Sequence, residues 1–203
     1  MIINKYFSED NHEMTDIKLE LWYLLHDRRK FFSDLYRKLH LLTLKRSQYY
    51  PECERFYSLM NVKGKVVIDI GCDFGTTPMF FLSQGATMVM GFSKENQYFH
   101  DKGYIHYNVD DDPSVLPEFI QKRQWIERIS SPIVLKSDCE GCEWNFTKEF
   151  IETFEDWIIA VHTPITNEKL YGYIKANGKN IGDQISGRNL GVQEIGIYRK
   201  VSG

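Results

Sequence analysis

The chain has 203 residues, 42% hydrophobic and 26% charged. That is enough apolar content for one packed domain of ordinary size plus an extension, and too much for wholesale disorder. Twenty-five basic residues against 28 acidic ones leave a formal charge of -3, which excludes a protein that grips nucleic acid through overall charge, though not through a local patch.

No apolar run approaches the roughly 20 residues that span a bilayer. The opening MIINKYFSEDNHEM lacks the basic start and apolar block of a secretory signal. Four cysteines (Cys53, Cys72, Cys139, Cys142) are too few for a disulfide scaffold at this length, so a reducing, cytoplasmic setting is expected.

Residues 1–14 are polar and expected to be loosely ordered. From Thr15, Ile17, Leu21, Leu24 and Leu25 recur at helical spacing, and Phe31, Phe32, Leu35, Leu39 and Leu42 form a second stripe. Pro51 suits the first turn of a third helix, PECERFYSLM. Residues 1–61 therefore read as a helical extension. Its segment 28–46 carries seven basic residues and one acid, Asp34. Such a helix is usually a solvated face packed by its apolar stripe. Contact with nucleic acid or an anionic surface is the alternative, and a dimer contact or a cover over a cleft is also open.

The pattern changes at Lys65. KVVIDIG is a short apolar run stopped by a glycine, as expected of a buried strand. Thr76, Thr77 and Pro78 start a helix that Gly85 ends. TMVMGF and YIHYNV read as the second and third strands, with a long helix capped at Asp112-Pro113-Ser114 after them. PIVLKSD is the fourth strand, CEWNFTKEFIETF a helix, DWIIAVHT the fifth strand, and NEKLYGYIKANG a helix ending at Gly178. The tail, with GRN between two possible strands, reads as an antiparallel hairpin ending in GVQEIGIYRKV. Five strands alternating with helices predict an α/β domain over 62–203: a doubly wound, mostly parallel sheet with a C-terminal antiparallel hairpin. Ligands of such sheets lie beyond the carboxyl ends of the strands, near the topological switch point.

Two strand ends stand out. After strand one comes Asp69-Ile-Gly71-Cys-Asp73-Phe-Gly75. The glycines permit a tight turn and a close backbone approach. Asp73, however, puts a carboxylate where a pyrophosphate-binding loop needs bare backbone, so a cationic or zwitterionic ligand is better suited. After strand four comes Asp138-Cys-Glu140-Gly-Cys-Glu143, three acids in six residues. A helix N-terminus accounts for Glu143 but not for Asp138, which closes the strand, and grouped carboxylates point to a use.

VVIDIGCDFG and LKSDCEGCEW, in this order and spacing, resemble the class I S-adenosylmethionine-dependent methyltransferases, and within them the FkbM-like group. The resemblance covers about residues 62–200. It implies a Rossmann-like fold with S-adenosyl-L-methionine as cofactor. It further implies that Asp69 and Gly71 shape the wall around the methionine moiety, with Asp73 and Gly75 in the loop beside it. Asp110 would lie at the adenine amine, Asp138 beside the sulfonium and the acceptor, and Glu140 and Glu143 where they orient the acceptor or the loop. Ser93 stands where such enzymes usually carry a ribose-binding acid; Glu95 is a possible substitute. Ala160 stands where the group often has an acid two residues before the retained His162.

Methyl transfer to oxygen needs a base, and His162 or Asp138 is the candidate; a strand-end histidine satisfied by backbone is the plainer reading of His162. The expected acceptor is a small-molecule or glycan hydroxyl. Ser93 and Ala160 motivate a second reading, a methyltransferase-fold binding or scaffold protein without catalysis. A nicotinamide-dependent oxidoreductase shares the architecture but is disfavoured by Asp73. Cys139-Glu-Gly-Cys142 invites a metal or redox role, yet zinc normally takes two such pairs; small, partly buried cysteines are the expectation.

Overall fold

In the computed structural model, residues 50–72, 75–93, 101, 103–108, 130–182 and 194–201 are described. The expected helices between 15 and 46, the long helix after Asp112, the GRN turn, Asp73, Glu95 and Asp110 lie outside them.

The described strands form one seven-stranded sheet: β1 (Val66–Ile70), β2 (Met88–Ser93), β3 (Tyr104–Asn108), β4 (Ile133–Ser137), β5 (Asp156–His162), β6 (Gly178–Gly182) and β7 (Glu194–Lys200), in the order β3-β2-β1-β4-β5-β7-β6. β1 through β5 run parallel to one another, and β7 is antiparallel to both β5 and β6. This is the Rossmann-like, mostly parallel fold with a C-terminal antiparallel pair. The chain runs outward from β1 to β3, then returns to lay β4 on the other side of β1. The topological switch point is thus between β1 and β4, the place where sheets of this kind take their ligands.

Strand side chains alternate between the two faces. Val67, Val134, Ile158 and Ala160 pack on one side with Phe56, Tyr57, Phe80 and Phe81. Ile68, Ile70, Leu135, Ile159 and Val161 pack on the other with Trp144, Phe150, Trp157 and Ile174. The first side is covered by helices α1 (Tyr50–Arg55) and α2 (Thr76–Ser83), the second by α3 (Lys148–Glu152) and α4 (Glu168–Asn177). Both faces being covered explains the near-continuous apolar runs of β1, β4 and β5.

Two expected elements differ, and the terminal antiparallel pair forms as expected. PECERFYSLM is not one helix: α1 stops at Arg55 and a 3-10 turn follows at Tyr57–Leu59. CEWNFTKEFIETF divides into a 3-10 turn, Cys142–Asn145, and α3. Phe146 is extended there, and the Thr147 hydroxyl accepts from the Phe150 N–H at 3.1 Å, restarting the helix. The terminal pair has β6 continuing directly from α4 at Gly178, so that β7 is inserted between β6 and β5.

Candidate functional site

The carboxyl ends of β1 and β4 adjoin. The Asp138 N–H donates to the Ile70 carbonyl at 2.9 Å, and the Gly71 N–H donates to Phe92 O of β2 at 2.8 Å. Gly71 has φ 76°, and a Cβ built there would stand 1.7 Å from the Asp138 carbonyl oxygen. No other residue fits this place. Gly75, at φ 98°, turns the chain into α2.

Beneath this junction lies an ion pair that the sequence reading did not single out. Asp69 and Lys136 are register partners on neighbouring strands. Both are almost wholly enclosed, and Lys136 Nζ lies 3.0 Å from Asp69 Oδ1. The same ammonium donates to the Gly71 carbonyl at 2.6 Å and sits 5.4 Å from the centre of the Tyr57 ring. The Thr77 hydroxyl donates to the other Asp69 oxygen. Burial pushes the Asp69 carboxyl above its ordinary range, while Lys136 and Thr77 pull it back. Asp69 thus braces the β1 loop from within. The sequence signal for Lys136 was present: a lysine inside an apolar strand, in phase with Val134, must find a partner.

Asp138 is half-buried at the end of β4. The Tyr57 hydroxyl lies 3.1 Å from Asp138 Oδ2 and 3.0 Å from Glu52 Oε1 of α1. One hydroxyl carries one proton, so it serves one carboxylate at a time. Burial, and then the charge of Asp138, raises the Glu52 carboxyl above its ordinary value. Burial and the two carboxylates also hold Tyr57 well above the usual phenol range, so it remains a donor. Nothing local in PECERFY marks Glu52 and Tyr57 as site residues; the packing of α1 on the sheet brings them there.

His162 closes β5 and is buried. Glu143, fully buried, takes both the His162 backbone N–H at 2.7 Å and its ring Nδ1 at 3.0 Å on Oε1, and the Gly141 N–H at 2.9 Å on Oε2. The other ring nitrogen of His162, Nε2, lies 3.5 Å from Asp138 Oδ1. The Trp144 indole N–H donates to the His162 carbonyl at 3.0 Å, fixing the backbone as well. Glu143 therefore orients a histidine, and the chain Glu143–His162–Asp138–Tyr57–Glu52 runs across the ends of β5 and β4 to α1. Such a chain can hold a proton, pass it along, and present a carboxylate to a cation.

The remaining expected residues are less central. Glu140 is exposed, at φ 53°. Ser93 is buried at the end of β2, with its hydroxyl 3.2 Å from His106 Nε2. Ala160 is buried in β5, in contact with the α1 and α2 side of the core. The cysteines need a correction. Cys139 and Cys142 are joined by a disulfide, with their Cα atoms 5.4 Å apart. The intervening Glu140 and Gly141 both have positive φ, which doubles the chain back and lets the two sulfurs meet. Spacing alone does not reveal this. Cys53 and Cys72 are free and buried; burial pushes the Cys72 thiol up to about 12 and Cys53 higher still.

No family model matches the chain. It is 31% identical over 152 residues to "Uncharacterized protein 158B" of Sulfolobus islandicus rod-shaped virus 1, covering 70% of this chain and 89% of that protein. It is 24% identical over 116 residues to "Uncharacterized protein 65" of Sulfolobus islandicus filamentous virus, covering 56% of this chain and 70% of that one. Among solved structures, a candidate ribosomal RNA methyltransferase from Plasmodium falciparum matches with a TM-score of 0.50 at 16% identity, over 76% of this chain and 97% of that one. At that identity the likeness concerns the fold alone.

Proposed function

We propose that this chain, which belongs to the family of protein 158B of Sulfolobus islandicus rod-shaped virus 1, is an S-adenosylmethionine-dependent methyltransferase of the FkbM-like group that methylates a hydroxyl of a small molecule or glycan. One observation carries the reading. The glycine tip of β1 and the acidic tip of β4 meet at the switch point of the sheet, with His162 Nε2 3.5 Å from Asp138.

The residues suit the cofactor. It carries a sulfonium and an ammonium, and both favour a site whose accessible side chains are carboxylates. The absence of a side chain at Gly71 lets the β4 tip close on the β1 turn, so that the Asp138 carboxylate stands beside the β1 loop. When bound, the cofactor supplies a methyl group to an in-line nucleophile. The chain's own residues do the rest. Lys136 and Asp69 hold the β1 loop rigid. Tyr57 donates to the Asp138 carboxylate from the α1 side, in competition with Glu52. Glu143 sets the ring of His162 so that Nε2 faces Asp138, where an acceptor proton would pass. His162 is then the base and Asp138 the group that aligns the acceptor.

Calorimetric titration with S-adenosylhomocysteine tests the binding half. Micromolar affinity is expected, and no heat at millimolar ligand counts against the reading. The catalytic half is tested by methyl transfer over sugars, small alcohols and RNA, RNA being included because the Plasmodium protein is described as acting on ribosomal RNA. A second reading, a binding protein that no longer catalyses, draws on Ser93, whose hydroxyl already has His106 as neighbour, and on Ala160. It predicts ligand binding without turnover. The acceptor and a homodimer are parts of the proposal that these assays and sedimentation would decide; nucleic acid contact through residues 28–46 is the less favoured reading of that segment, and the RNA assay tests it.

A further inference from the structure

We propose that Cys139 and Cys142 are a reversible dithiol–disulfide site, exchanged by an external dithiol, whose state sets the grip of Glu143 on His162. The reasoning does not depend on the methyltransferase reading, and its test uses no cofactor.

The pair is asymmetric. Cys139 is half-buried while Cys142 is 3% exposed, so Cys139 is the sulfur that an incoming thiolate reaches. The other two cysteines are fully enclosed, with thiols raised far above the range where thiolate forms. Redox chemistry of this chain is thereby confined to one pair. That pair is built into the site: Asp138 precedes Cys139 and Glu143 follows Cys142.

Cys139 Sγ lies 3.7 Å from Glu143 Oε2, and the Ser137 hydroxyl lies 3.4 Å from the same sulfur. In the disulfide the sulfur carries no proton and donates nothing to Glu143, whose Oε2 takes the Gly141 N–H and whose Oε1 takes the backbone and ring nitrogens of His162. Reduction gives Cys139 an S–H donor, or a thiolate that repels Glu143, within contact of the carboxylate that orients His162. It also frees Glu140 and Gly141 from the closed ring that holds them at φ 53° and 113°.

The exchange balances. A thiolate of the dithiol attacks Cys139 Sγ; the Cys139–Cys142 bond breaks, and Cys142 leaves as thiolate and takes a proton. The donor's second thiol attacks its own sulfur in the mixed disulfide, releasing Cys139, which is then protonated. Two electrons and two protons pass to the pair, and the donor departs as a disulfide.

Chain purified without reductant, denatured and alkylated with iodoacetamide, is expected to take two labels; the same chain first treated with dithiothreitol while native, then acid-quenched and denatured, takes four. By hydrogen-exchange mass spectrometry, the peptide bearing the His162 amide is expected to exchange at least tenfold faster after reduction, with no such response in the C139S/C142S variant. Four labels before any reductant, two labels after native dithiothreitol, or unchanged exchange at His162 overturns the proposal. So does zinc found bound to the four-thiol form, because the ligand-type atoms of Cys139, Cys142 and Glu143 lie within 4.8 Å of one another and that result would assign a metal site instead.

Discussion

Gly71 and Asp138 touch through bare backbone: the carbonyl oxygen of Asp138 occupies the space where any side chain at 71 would begin. The two acidic, glycine-bearing tips are thus one surface, locked by the Asp138 N–H to Ile70 hydrogen bond.

Gly71→Ala forces both a left-handed φ and a Cβ at 1.7 Å from a carbonyl oxygen. The backbones must part. We expect a loss of more than about 3 kcal/mol in urea unfolding together with loss of S-adenosylhomocysteine binding. A variant of wild-type stability would mean that the two tips separate easily.

Lys136→Met leaves Asp69 buried without its cation. Breaking one partner of such a pair costs about 3–5 kcal/mol, whereas replacing both is often near neutral. The double variant Asp69→Asn, Lys136→Met is therefore expected to recover most of the loss. If the double variant unfolds as readily as the single one, the ammonium's contact with the Gly71 carbonyl, not the ion pair, is the main contribution.

Glu143→Gln keeps the shape but removes the charge that orients His162. A fall in kcat of about 10²–10⁴ is expected, with His162→Ala causing a similar fall and the double variant little more, as groups acting in one unit are not additive. Two effects that multiply in the double variant would show that Glu143 acts apart from His162.

Glu52→Gln tests the charge crowding beside Asp138. Burial and that neighbour raise the Glu52 carboxyl in the folded state. The folded chain then holds its proton more tightly than the unfolded chain. The stability this gives is fully present below the ordinary carboxylate value near 4.3 and is lost as pH rises through the higher folded value. The amide has no such loss and still accepts from Tyr57. We expect the variant to be more stable than wild type at pH 7 by about 1 kcal/mol or less, with the gap closing toward pH 4. Parallel urea curves at both pH values measure it; a gap that widens toward pH 4 has the wrong sign.

The alternation of apolar strands and helices from Lys65 onward determined the parallel sheet, because a strand covered on both faces must be apolar throughout. The placement of Gly71, Asp138 and His162 at strand ends was likewise legible, since an apolar run that stops marks where a buried strand ends. Glu52 and Tyr57 were not: their role depends on α1 packing across the sheet, a contact between residues 81 positions apart in the case of Tyr57 and Asp138. Lys136 was visible as an anomaly but not as half of a pair, because strand register decides which residue faces it. The disulfide needed left-handed backbone at both Glu140 and Gly141, and φ is chosen by the surrounding fold, not by C-x-x-C spacing. Local pattern fixes which elements form; only long-range packing decides which polar groups are buried together, and buried polar groups must find partners.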